Sequence, residues 1–112
     1  MSVEQNRPTP SIARIWRGRT RRKDADAYAV YMAEHGLREM ERDGALGVQM
    51  FREDQGDETV FMALTYWESF ETMAAWAGDD PLQVRHLPRD PEFLIEMPER
   101  VQVLDIVENT WR

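Results

Sequence analysis

Apolar and polar residues alternate along Ser11–Thr20, with Ile12, Arg14, Trp16 and Gly18 on one side and Ala13, Ile15, Arg17 and Arg19 on the other. That period predicts a first strand. From Asp24 the period lengthens to 3.6, with Ala25, Tyr28, Ala29 and Met32 on one stripe and Asp24 placed as an N-cap. His35-Gly36 marks an end or kink, because glycine readily takes the left-handed conformation that closes a helix. Leu37 and Met40 extend the pattern for another turn. Two further strands are predicted over Ala45–Glu53 and Glu58–Trp67, joined by the turn Asp54-Gln55-Gly56-Asp57.

The second of these carries Val60, Met62, Leu64 and Tyr66 on one face and Phe61, Ala63, Thr65 and Trp67 on the other. A hairpin strand ordinarily keeps one face wet. Here both faces are apolar, and so short a chain supplies helices for only one. The expectation is a homodimer, with the second face meeting another subunit. Ser69 then caps a helix with the stripe Phe70, Met73, Ala74, Ala77 and with Trp76 at its edge. Gly78-Asp79-Asp80-Pro81 stops that helix and starts a brief one, with Pro in its first turn.

A last strand is predicted over Val101–Glu108. The order β-α-β-β-α-β defines an α+β chain of ferredoxin-like plan with an antiparallel sheet. Residues 78–100 hold four of the six prolines, and Leu82, Val84, Phe93, Leu94 and Ile95 argue that this long connection is ordered. Residues 1–10, with Pro8 and Pro10, are expected to be a disordered leader, 11–108 the domain and 109–112 a short tail.

At 112 residues the chain is one domain. It has no cysteine, which removes disulfides, thiolate metal sites and a cysteine nucleophile. No apolar run approaches a membrane span and no signal-peptide pattern opens the chain, so the expected location is the cytoplasm. The net charge of −7 is unevenly spread: residues 1–23 hold seven of the 14 basic groups and one acid. Overall acidity argues against nucleic acid as a partner. The cluster Arg17, Arg19, Arg21, Arg22, Lys23 is expected to be a solvated strand end.

No glycine-rich phosphate loop, H-E-x-x-H or local Ser-His-Asp arrangement is present, and the acidic pairs sit in turns. What remains is aromatic. Trp16, Trp67 and Trp76 fall on elements facing one interior, which suits either core filling or a flat apolar ligand. His86, ten residues after Trp76, is a candidate proton shuttle or haem-iron ligand. His35 is expected to sit at a helix C-terminus, where the dipole favours it.

The segments Ile12-Ala13-Arg14-Ile15-Trp16-Arg17-Gly18 and Leu64-Thr65-Tyr66-Trp67-Glu68-Ser69, with the Trp76–His86 spacing, resemble the antibiotic biosynthesis monooxygenase-like proteins. The resemblance spans about residues 11–108 and implies a dimeric α/β barrel with a ligand cavity between sheet and helices. One branch of that family oxidises aromatic polyketides without metal or flavin, using a Trp and an Asn. Trp67 matches the Trp, whereas Ala63 stands at the Asn position. Another branch degrades haem. Trp76, His86 and His35-Gly36-Leu37 match its spacing, whereas Ile15 stands where it has an Asn.

The expected enzyme is therefore a small monooxygenase acting on a flat aromatic molecule with no cofactor. His86 and Trp67 are its candidate catalytic residues, and Trp16, Trp76, Tyr66, Arg14 and Arg17 its candidate substrate contacts. Haem binding through His86 is the alternative, and a non-catalytic binding module of the same fold is the third reading.

Overall fold

The central strand β3 (Glu58–Trp67) alternates as the sequence predicts: Thr59, Phe61, Ala63, Thr65 and Trp67 are buried while their neighbours are half-exposed. The computed structural model describes residues 9–111, so the expected leader lies almost wholly outside the described residues. β3 pairs antiparallel with β1 (Ile12–Arg21) along its whole length and with β2 (Gly47–Gln55) through the tight turn at Gly56, whose φ of 64° suits glycine. β4 (Gln102–Asp105) pairs antiparallel with the start of β1, giving the sheet order β2-β3-β1-β4. This is the expected ferredoxin-like plan. β4 is shorter than its apolar run, because the chain leaves the sheet after Asp105 and exposes Val107.

Helices cover one face of the sheet. α1 (Ala25–Met32) follows a short 3₁₀ turn (Arg22–Asp24), and the Asp24 side chain makes no capping hydrogen bond. The helix does not end at His35-Gly36 as predicted. It passes through a π-helical segment (Ala33–Leu37) into α2 (Arg38–Arg42). Gly36 is buried there, and a Cβ on it would lie 2.8 Å from Met32 Sδ, so glycine is kept for close packing rather than termination. α3 (Phe70–Ala77) starts at Ser69, whose hydroxyl accepts from the Thr72 N–H while Thr72 Oγ1 accepts from the Ser69 N–H. Met73 and Ala77 are buried, and Phe70 turns outward.

The brief helix predicted at Pro81 occurs instead at α4 (Asp90–Phe93), with Pro91 in its first turn. The connection around it is ordered: Val84, Phe93 and Leu94 are buried, and Leu94 and Ile95 run beside the end of β1. The core between sheet and helices centres on Tyr28, whose ring lies 5.4 Å from Phe61, 5.3 Å from Phe93 and 6.4 Å from Trp16. Among the described residues no helix is long and apolar enough to cross a membrane.

Candidate functional site

Beside this aromatic core, between β1, β3, the π segment and the 84–90 strap, lies a cavity of about 80 Å³. Its inner wall is buried: Arg14 and Trp16 project from β1, Ala63 and Thr65 from β3, Met40 from α2 and Val84 from the strap. His35, Glu39, Arg85 and His86 are exposed and form its mouth. A void of roughly 150 Å³ is needed to enclose a benzene. A ring therefore enters either by projecting through this mouth or by displacing a side chain.

Strand alternation decides which expected residues meet here. Arg14, Trp16, Trp76 and His86 line the cavity. Trp16 reaches it by lying across Gly18: a Cβ at Gly18 would stand 2.4 Å from the Trp16 ring. Trp67 does not line it. Its side chain is fully buried behind Trp76, at 5.7 Å between ring centroids, and its Nε1–H donates to Thr65 Oγ1 at 2.9 Å. Tyr66 and Arg17 fall on the opposite face of the sheet. There Tyr66 donates to Gln49 and packs edge-on against Trp111, while Arg17 donates to Gln102. The basic cluster stays outside as expected, with Arg19 paired to Glu58 and Glu96 and Arg22 paired to Asp54.

Arg14 is the unusual member. It is 4 % exposed, its Nη2 donates to the Gln83 carbonyl at 3.1 Å, and its Nε has no acceptor. Its guanidinium sits 4.8 Å from the Trp76 ring, and that of Arg85 sits 4.7 Å from the same ring. Burial, helped by the neighbouring positive charge of Arg85, pulls the Arg14 pKa down to about 10. No carboxylate among the described residues pairs with either guanidinium.

Asp90 also lines the cavity, though it is not among the residues expected from the sequence. It is 2 % exposed, accepts from the Tyr28 hydroxyl at 3.1 Å and from the Leu87 N–H at 2.9 Å, and lies 4.0 Å from His86 Nδ1. Burial holds its carboxyl above the usual range, against the pull of those two hydrogen bonds and of His86. Burial first, then the Asp90 charge, push the Tyr28 phenol above its ordinary value. The cavity thus joins a half-shielded imidazole, a buried carboxyl behind it, a buried cation and an indole face. Such a set can take up a flat anion and move a proton. His35 is also displaced from its expected role: it stands mid-helix, on the cavity mouth, 5.1 Å from the Tyr31 ring. Arg85 and Asp90 gave no sequence signal beyond lying beside His86 in a proline-bounded segment.

No protein-family model matches the sequence, and no curated protein is similar to it. Among solved structures, a Bacillus cereus protein described as a candidate antibiotic biosynthesis monooxygenase superposes with a TM-score of 0.63. That likeness covers 93% of this chain and 100% of that one at 10% sequence identity. The chain thus has the fold of the antibiotic biosynthesis monooxygenase-like proteins. At this identity the likeness concerns the fold.

Proposed function

We propose that the chain is a small cofactor-independent monooxygenase that oxidises a flat, ionisable aromatic molecule at this cavity. The observation that carries the reading is the buried, unpaired Arg14 guanidinium beside an imidazole–carboxyl pair and the Trp76 face. His86 takes a proton from the acidic C–H or O–H of the substrate, and Asp90 favours the imidazolium so formed. Arg14 holds the anionic end of the substrate in a site largely shielded from water. The electron-rich carbanion supplies the electrons that molecular oxygen needs. Oxidation of a ring methylene to a carbonyl balances as R₂CH₂ + O₂ → R₂C=O + H₂O. Only the reacting ring needs to enter, which suits the limited room.

Homodimerisation through the uncovered sheet face belongs to this reading. Val60, Met62, Leu64 and Tyr66 are only half-covered there, and Phe51 and Leu104 are exposed. A cytoplasmic location goes with it. Haem, like the aromatic substrate, would enter only by projecting through the mouth, where the exposed His86 would be its iron ligand, and no step is derived through it.

The test is oxygen uptake with hydroxylated one- to three-ring aromatics, run beside a hemin titration. Uptake stoichiometric with carbonyl product, lost in His86→Ala and retained in Tyr66→Phe, is the expected result. No uptake with any such compound would overturn the proposal. A saturable Soret shift removed by His86→Ala would transfer the site to haem.

A further inference from the structure

We propose that the cavity recognises a carboxylate-bearing aromatic acid, its carboxylate held by Arg14 and Arg85 and its ring in the mouth lined by His35 and His86. This deepens the reading above, since it names the substrate class of the same cavity and rests on that cavity being a ligand site.

The cavity holds an imbalance of charge. A buried cation is ordinarily paired, because removing it from water costs several kcal/mol that only a close counter-ion offsets. Arg14 is buried and has one hydrogen-bond acceptor, the Gln83 carbonyl; its Nε has none. The nearest charged neighbour that matters to it is another cation, Arg85, which raises the cost. The two acids on the cavity wall do not relieve it. Asp90 is engaged by Tyr28 and Leu87 and faces His86, and Glu39 stands exposed at the mouth without an ion pair to Arg14.

The arrangement nevertheless holds its shape. Arg85 is fixed by donating to the Trp76 carbonyl at 2.6 Å, and Arg14 is fixed by its bond to Gln83. Both guanidiniums lie within 5 Å of the Trp76 ring centroid, where the negative ring face steadies a cation but does not neutralise it. Two preorganised guanidiniums of like charge, one stripped of water, describe a receptor for two anionic oxygens. A neutral ketone satisfies one donor and leaves the charge uncompensated, and a phenolate brings its charge on a single oxygen. A carboxylate supplies both acceptors and the charge at once. The Trp76 indole already carries both guanidiniums and packs on Trp67, so the ring attached to that carboxylate lies in the mouth lined by His35 and His86.

The experiment is isothermal titration of the full chain with 2-naphthoate and with its neutral isostere 2-naphthamide. The wild type is expected to bind the carboxylate at least tenfold more tightly than the amide. Arg14→Met should bring the two affinities within about twofold of each other while the far-ultraviolet circular dichroism is unchanged. Arg85→Met, at an exposed position and safe for folding, should narrow the preference without abolishing it. Equal affinity for acid and amide in the wild type, no binding of either, or a preference that survives both substitutions would overturn the inference. Because the readout is binding, a protein that binds naphthoate selectively but consumes no oxygen refutes the monooxygenase reading alone.

Discussion

The two faces of the sheet use the same strands to opposite ends, and Arg14 and Arg17 show the difference three residues apart. Arg14 is buried under the helices beside Trp76 with an unmet donor; Arg17 lies in the open on the other face, satisfied by Gln102. The same side chain is a stored electrostatic cost on one face and an ordinary surface group on the other. What differs is water. On the helix-covered face burial makes each polar group matter, as the raised Asp90 carboxyl and the lowered Arg14 guanidinium both record. On the open face half-covered Met62 and Leu64 and exposed Leu104 ask for area rather than for chemistry.

The sharpest way to break this contrast is to empty the covered face. Trp67→Ala removes a fully buried indole and should destabilise the chain by about 3–5 kcal/mol in urea unfolding. A loss below about 1 kcal/mol would mean that Trp67 is not core. Gly18→Ala comes next. Its Cβ meets the Trp16 ring, so about 1–3 kcal/mol should be lost and the Trp16 wall of the cavity displaced, visible as a changed near-ultraviolet circular dichroism signal.

On the open face, Leu104→Glu should leave single-chain stability within about 0.5 kcal/mol, since the residue is 46% exposed. It should nonetheless lower the apparent mass in size-exclusion chromatography, because a carboxylate would be buried between subunits. An unchanged mass would place the second subunit elsewhere or remove it.

The smallest effect concerns Asp90. Its folded-state pKa is raised above the ordinary 3.8, so its protonation contributes stability that is fully present below that ordinary value and is lost as pH rises through the higher folded-state value. Comparing urea midpoints at about pH 3 and pH 7, the wild type should lose stability relative to Asp90→Asn on going to pH 7. The opposite sign would show that hydrogen bonds from Tyr28 and Leu87 outweigh burial.

Much of the fold was legible because it rests on local period. The strand β3 has the limits that its alternation predicts, with helices over one of its apolar faces and the other left half-covered. The errors came where packing overrides local signals. Gly36 has the mark of a helix end, yet its missing side chain lets Met32 and Leu87 close over a continuing helix. Pro81 and Pro91 carry the same helix-start signal. Pro91 prevails where the Asp90 carboxylate gathers Leu87 and Tyr28 around it. The site was half legible for the same reason. Alternation puts Arg14 and Trp16 on one side of β1, but nothing in sequence tells that Arg85, 71 residues later, brings a second cation to the same indole.

The most direct test of the account sets the two arginines against each other. Oxygen uptake and carbonyl product would be followed in single-turnover reactions of the wild type, Arg14→Met and Arg17→Met with a hydroxylated aromatic acid. The account predicts a rate reduced at least a hundredfold in Arg14→Met and within twofold of wild type in Arg17→Met. Equal losses in both, or an active Arg14→Met protein, would contradict the assignment of the chemistry to the helix-covered cavity.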